Sequence, residues 1–480
     1  MPETRKTVVV KPFTRVEGDL EVEIDVIDGL VASARASGTL YRGFERILVG
    51  RPSLDAIGIV PRVCGKCSLA HAAAAAAALR AVSGVEVPRN GFLSRSIVLG
   101  AEVVVNHVSS FYFTFAPDLA AVAPGDEALH RFTPISGRAF RDALDARREF
   151  LPVLGMFAGK WPNSLVTQPG GSSRPVDRSE VRRSLGAIDR MRRFLEASLV
   201  HDGLERWLEV KSEADLSAWT AEATHASSDL AVFVRFALDR GLDRIGLGPA
   251  RFLSFGGWGT PERPRPREGF FNGTVSPLDV ALFSEHLRYS WFPVERSRRR
   301  TSQPAPVADP DRSHPYSWTK APRYAGLPVE TGPLARQVID GDPLVLDLVA
   351  RRGASVFTRV MARLHELVRL VVELRTWIRE IAPAEPFCRH GDLPGSGEGM
   401  GVLEAPRGAL AHWTQLEGGT IHHYQIVTPT AWNFSPRDDN DVPGPVESAL
   451  VGTPVGDERT CRNVLHVVKS FDPCLYCSTH

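Results

Sequence analysis

Four of the six cysteines in this 480-residue chain lie in two Cys-x-x-Cys motifs at opposite ends, Cys64-Gly65-Lys66-Cys67 and Cys474-Leu475-Tyr476-Cys477. Each motif is followed by a histidine, His71 and His480, and His480 is the last residue. Thiols this scarce and this regularly paired predict one shared metal site. Any fold for the chain must therefore bring its last residues back beside its first hundred.

The chemistry of the pairs supports that reading. Two thiolates separated by two residues can converge on one ion, and Cys64 and Cys67 directly precede an Ala-rich run whose helix N-terminus would lower thiol pKa. Four thiolates suit zinc, an iron-sulfur cluster, or nickel in a soft coordination sphere, and spacing alone does not choose among them. A structural zinc usually clips a compact module, its ligand pairs a few tens of residues apart. Here most of the chain intervenes, which favours a redox or catalytic metal over zinc.

Composition narrows the class. The chain is 43% hydrophobic with a formal net charge of +1, so it can bury a large core and has no basic field for nucleic acid. Met1 to Val10 carries no apolar signal segment, and apolar windows such as Ala72 to Leu79 fall short of the ~20 residues of a membrane span. The expectation is a cytoplasmic protein with reduced thiols.

Hydrophobic periodicity predicts a mainly α protein with a small N-terminal antiparallel β layer. Residues 1–50 alternate apolar and polar side chains around the turn Asp28-Gly29. Residues 51–400 form a helical body, with helices expected over Ser68 to Leu79, Phe92 to Phe115, Ser179 to Leu199, Asp229 to Leu242 and Ala350 to Ile381. Within that body, residues 260–323 are rich in Pro, Arg and Ser and read as a surface excursion that includes Ser297-Arg298-Arg299-Arg300. Residues 401–480 close the metal site, and the whole is expected to be one domain, 1–480.

The residues around the thiols are more specific. Arg62-Val63-Cys64-Gly65-Lys66-Cys67-Ser68-Leu69-Ala70-His71 and Asp472-Pro473-Cys474-Leu475-Tyr476-Cys477-Ser478-Thr479-His480 resemble the two metal-binding signatures of nickel-iron hydrogenase large subunits. The resemblance continues in Arg15-Val16-Glu17-Gly18, Tyr41-Arg42-Gly43-Phe44-Glu45, Glu404-Ala405-Pro406-Arg407-Gly408 and Pro429-Thr430-Ala431-Trp432-Asn433. It implies the large multi-helix bundle of that family, hydrogenase activity, and a nickel bound by Cys64, Cys67, Cys474 and Cys477. Cys67 and Cys477 would also bridge to an iron carrying cyanide and carbon monoxide. Heterolysis of dihydrogen needs a soft electron-rich metal and a nearby base.

The same resemblance assigns roles to other residues. Glu17 would accept a proton from Cys477, and Arg407 would lie over the metals with Asp118 and Asp472 as charge partners. Pro406, Arg407 and Thr430 would face the cyanide nitrogens, and His71 would bond near a bridging sulfur. Glu45, the carbonyl of Ile426 and the ring of His480 would hold a magnesium ion, for which a carboxylate and a carbonyl are suitable and a histidine unusual. His422 and His423 read as strand residues.

Cys388 and Cys461 are isolated, so the iron-sulfur clusters that carry electrons would belong to a small-subunit partner in a heterodimer or a dimer of heterodimers. Maturation proteins and a signalling kinase are further implied partners. A chain ending on this histidine is either a processed form or a member encoded without an extension, the latter being typical of regulatory dihydrogen sensors. Thr39 to Glu45, Gly159 to Pro162 and Gln168 to Arg174 also resemble the sensor branch. Lys66, where the family usually has a branched aliphatic, departs from the pattern. His71, where sensors often have glutamine, points toward energy-conserving uptake enzymes. A hydrogen sensor is the expectation, an uptake enzyme the alternative.

Overall fold

The computed structural model describes residues 5–11, 13, 15–122, 125–293, 306–456 and 460–480. Strands Arg5–Val10, Leu20–Ile27 and Leu30–Gly38 form an antiparallel meander. Alternate side chains of Leu20–Ile27 are buried, as the period-two pattern predicts. Asp28 and Gly29 both take positive φ, 50° and 80°, and turn the chain between the last two strands.

The body is helical. The helix that begins at Arg89 runs through a π-helical turn, Ser110–Phe115, to Val122, and it crosses the 24-residue helix Val356–Arg379. Gly100 permits the crossing, because a Cβ there would stand 3.0 Å from the Trp377 ring. Arg89–Val122 is 34 residues of helix, long and apolar enough by composition to cross a membrane, contrary to the window count above. Its apolar window is 83% buried within the protein, as expected of a core helix.

Two expected elements differ. The helix expected over Ala350 to Ile381 is two, Pro343–Arg352 and Val356–Arg379. Gly353, with φ 62°, ends the first, and Ser355 caps the second by accepting a hydrogen bond from Thr358 N–H. The expected surface excursion is in part a buried β layer. Strands Phe252–Phe255, Glu268–Phe271, Phe283–His286 and Ala321–Tyr324 bury Phe283, Tyr324, Glu285, Lys320 and Arg323. Strands of four residues are too short to show a period. Ser297-Arg298-Arg299-Arg300 lies outside the described residues.

A second meander, Gly397–Ala405, Gly408–Glu417 and Thr420–Val427, lies against the Ala-rich helix Ser68–Ser83. The approach is close because both surfaces are small. A Cβ built on Gly399 would sit 2.1 Å from the Ala78 carbonyl oxygen, and one on Gly401 would sit 2.0 Å from that of Ala74. The glycines recur every second residue, so they share one face of the strand. This contact fixes the helix that follows Cys67 against the strand that leads to Arg407. Gly401→Val should therefore lower stability by about 1–3 kcal/mol through overpacking against a backbone atom. An unchanged melting temperature in thermal denaturation would show that the two elements can separate freely.

Candidate metal centre

Cys64 follows the 3-10 turn Val60–Val63, and Cys67 caps the Ala-rich helix. Cys474 and Cys477 belong to the last turn of the chain, Leu475–Ser478 and its cap. A short parallel bridge between Glu17 and Cys474, with Leu475 N–H donating to the Glu17 carbonyl at 2.8 Å, docks that turn on the N-terminal segment. Gly18, with φ 81°, lets the two backbones meet, because a Cβ would lie 2.8 Å from the Tyr476 nitrogen. Arg42 ties the two motifs together by donating to the Val63 carbonyl at 2.6 Å and to the Tyr476 carbonyl.

The four sulfurs are buried and form a chain of contacts. Sγ to Sγ distances are 3.3 Å for Cys64 and Cys474, 3.2 Å for Cys474 and Cys477, and 3.2 Å for Cys477 and Cys67. Sulfurs about 2.3 Å from one ion would stand about 3.8 Å apart in a tetrahedron and about 3.3 Å apart along the edge of a square. The contacts place the four sulfurs close enough to share one ion, and a soft thiolate set of this kind suits nickel as well as zinc. Hydrogen bonding from Cys474 pulls the Cys64 thiol well below its ordinary range. Hydrogen bonding with Cys474 pushes Cys67 up, and burial pushes Cys477 up. A bound dication would favour the ionised form of such buried thiols.

Arg407 lies beside the sulfurs. Its Nε donates to the Asp472 carbonyl at 2.9 Å, and its Nη2 stands 3.4 Å from Asp472 Oδ1. Burial opposes its charge, yet Asp472, Cys474 and Cys64 hold it firmly cationic. Nη1 is buried without a hydrogen-bond partner, an orphan donor that suits an anionic diatomic ligand. Asp472, at φ 56°, is fixed by Asn106 Nδ2 at 2.7 Å, and although burial opposes its ionisation, Arg407, Arg363 and Asn106 together favour it. Thr430 Oγ1 accepts from Cys474 N–H at 3.1 Å, so its own hydroxyl proton remains to donate.

Pro406 is buried, and its carbonyl accepts from Arg336 Nη2 at 3.2 Å. Arg336 is the centre of a network that the sequence did not reveal. It donates to Glu366 and Glu404 at 2.9 Å each and to the Ala405 carbonyl at 3.0 Å, and Glu366 is 2.7 Å from His107 Nε2. This network sets the loop that presents Arg407.

Glu17 and Lys66 form an ion pair at the edge of the site, with side chains 31% and 36% exposed. The lysine between the two thiol ligands thus serves the carboxylate expected to carry protons. Asp118 departs from expectation. Arg15 and Lys469 hold it, and no hydrogen bond or ion pair joins it to Arg407 among the described residues. Its placement one turn beyond the π-helical segment directs it toward Lys469.

The expected magnesium residues converge, with an unexpected cation among them. Glu45 is buried, and its carboxylate takes Lys320 Nζ at 2.8 and 2.9 Å and the amide of Ile426 at 2.9 Å. Burial disfavours its charge, but Lys320, His480 and the Ile426 amide together hold the carboxyl far below its usual range. Ile426 thus meets Glu45 through its nitrogen as well as lying on the expected strand. His480 Nδ1 bonds the Cys477 carbonyl at 2.5 Å, and its Nε2 is buried without a hydrogen-bond partner 3.4 Å from Glu45. Glu285 also lies 3.8 Å from Lys320 and accepts from Gln425 Nε2, which adds a second carboxylate to the surroundings of Glu45.

His71 is buried with Nδ1 3.1 Å from His412 Nε2, and His412 in turn meets the Tyr424 hydroxyl at 2.8 Å. Burial lowers His71 to about 3, so it is neutral beside the thiols. His422 is exposed and His423 buried on the last strand of the meander. Glu102, which the sequence did not single out, accepts Leu69 and Ala70 N–H and Trp161 Nε1–H, each at 3.0 Å. It caps the helix that starts at Cys67, and burial pushes its carboxyl up to about 8.

The nickel-dependent hydrogenase family matches residues 42–129 and 137–480. The chain is 29% identical to the periplasmic [NiFeSe] hydrogenase large subunit of Desulfomicrobium baculatum, over 98% of this chain and 94% of that one. It is 28% identical to the uptake hydrogenase large subunit of Bradyrhizobium diazoefficiens, over 99% and 95%. The structure of the Ni-Fe-Se hydrogenase from D. vulgaris Hildenborough in the reduced state superposes with a TM-score of 0.85 at 30% identity, covering 99% of this chain and 100% of that one. A buried tetrathiolate on this fold defines a metal-dependent oxidoreductase. The chain belongs to the nickel-dependent hydrogenase family as a large subunit.

Proposed function

We propose that this is the hydrogen-activating subunit of a hydrogen-sensing nickel-iron hydrogenase. The observation that carries the reading is the cluster of four buried sulfurs beside the unpaired Nη1 of Arg407. Cys64, Cys67, Cys474 and Cys477 would hold nickel, with Cys67 and Cys477 shared with iron. Pro406, Arg407 and Thr430 would surround the cyanide ligands. Glu45, the Ile426 carbonyl and His480 would hold magnesium. When bound, the nickel-iron centre supplies the soft, electron-rich metal at which dihydrogen splits.

Protein groups then move the proton. Glu17 takes it from the Cys477 thiol and passes it outward, since its side chain borders solvent and pairs with Lys66. Arg407 and Asp472 keep the opposite side of the site charged and dry, and Asp118 contributes at longer range. Glu17→Gln should cut hydrogen-dependent dye reduction by roughly 10²–10⁴ while leaving nickel content unchanged. Wild-type turnover in that variant would remove Glu17 from the route.

Electrons leave through an iron-sulfur small subunit. Ile47, Val49, Leu54 and Leu165 are 43 to 55% exposed in and near the segment that leads to Cys64, a surface suited to such a partner. The sensing role rests on the resemblance of Thr39 to Glu45, Gly159 to Pro162 and Gln168 to Arg174 to the sensor branch. It would require maturation proteins and a signalling kinase, in the cytoplasm. An uptake enzyme is the second reading, favoured by His71 and by relatives such as the Bradyrhizobium protein.

Infrared spectroscopy of the purified heterodimer, with nickel, iron and zinc quantified, tests the site. Cyanide and carbon monoxide bands that shift under dihydrogen would support it, and their absence with stoichiometric zinc would overturn it. Formation of a hydrogen-dependent complex with a signalling kinase would favour sensing, and hydrogen-dependent reduction of a respiratory acceptor an uptake enzyme.

A further inference from the structure

The Ala-rich helix carries Cys67 at its start and Arg80 roughly 18 Å further along its axis. Arg80 lines a second, separate cavity of about 610 Å³. Arg95 on the next helix and Arg267 on the opposite wall line it too, and Glu268 is the one carboxylate among its described lining residues. Phe255, Met400, Val402 and Pro266 form an apolar wall. Arg267 and Pro266 come from the run Glu262-Arg263-Pro264-Arg265-Pro266-Arg267-Glu268, within the segment whose composition marked it as basic and proline-rich.

Two of these cations have no carboxylate partner among the described residues. Arg95 lies over the Phe92 ring at 4.6 Å, but its Nε is buried without a hydrogen-bond partner. No carboxylate pairs with Arg95 or Arg80 among the described residues. Arg267 comes only within 3.9 Å of Asp340, which Arg265 already binds at 3.0 Å. Burial and the neighbouring charge of Arg80 push Arg95 down to about 10, the sign of a cation held without compensation. Two guanidinium groups without a carboxylate partner, with the more exposed Arg267 at the rim, suit a dianion, and the planar fork of arginine matches phosphate oxygens in pairs. A cavity of this volume with an apolar wall accommodates more than the anion alone.

We propose that this cavity binds an organic phosphate of nucleotide size, the phosphate on Arg80, Arg95 and Arg267 and a planar body against Phe255 and Met400. None of these residues takes part in the metal centre. Calorimetric titration of ADP, and separately of inorganic phosphate, into the purified heterodimer tests it. The expected result is one ADP per large subunit, with inorganic phosphate at least about tenfold weaker. The double variant Arg95→Gln, Arg267→Gln should weaken ADP by at least about tenfold and keep hydrogen-dependent dye reduction, which verifies its fold. Met400→Glu sets a carboxylate on the apolar wall with every arginine intact and should give the same loss. Absence of ADP binding, phosphate binding as tight as ADP, or ADP binding unchanged in both variants would overturn the proposal. The heat of ADP binding does not depend on the nickel-iron reading, so the two stand or fall separately.

Discussion

Cys477→Ala should give a folded heterodimer with background nickel and no measurable hydrogen-dependent dye reduction. Cys477 Sγ is 3.2 Å from both Cys67 and Cys474, so it occupies two of the three edges in the sulfur chain. Its loss leaves Cys64 in contact with Cys474 and removes the sulfur that links Cys474 to Cys67. Three thiols without the fourth neither complete the ligand set nor hold the proposed iron bridge. The packing loss is only one sulfur atom, about 1–2 kcal/mol. Thermal denaturation and metal analysis therefore separate the two effects: a small shift in melting temperature with nickel absent is the expected pair. Retained nickel and normal activity would remove the assignment of this residue.

Arg336→Met should have the largest effect on folding. The guanidinium is fully buried and binds Glu366, Glu404 and two carbonyls, those of Ala405 and Pro406. Methionine fills the volume but leaves two buried carboxylates facing each other. Removing one partner of such a network costs about 3–5 kcal/mol, of the order of half of a typical domain's stability. The loop bearing Arg407 loses its two carbonyl anchors at the same time. Poor yield of soluble heterodimer, with nickel incorporation lowered in what remains, is the expected outcome. If the variant purified at wild-type yield and stability, the network would not anchor the loop.

The sequence and the structure agree most closely where chemistry leaves a local signature. Cys-x-x-Cys pairs, the alternation in Leu20–Ile27 and the Asp28-Gly29 turn are each legible from neighbouring residues. Glu45 and His480 were legible only through resemblance, because nothing local shows that a residue of the first fifty meets the last one. Arg336, Glu102, Lys320 and His412 gave no signal at all. Each is an ordinary polar residue whose partner is distant in sequence, as for His71 and His412 or Lys320 and Glu45. Gly397, Gly399 and Gly401, alternating in a strand, call for a flat neighbour, and the Ala-rich helix supplies it. The break at Gly353 was likewise readable from glycine followed two residues later by a capping serine.

Cys64 and Cys474 touch across 410 residues of chain. At a translation rate of about 5–20 residues per second, the first pair of thiols leaves the ribosome on the order of 20–80 s before the second exists. For that interval two cysteines destined for a sealed interior are ordinary exposed thiols, open to oxidants and to any soft metal in the cell. The protein's most vulnerable period precedes its function, and its fidelity for nickel depends on what else reaches the half-built site first.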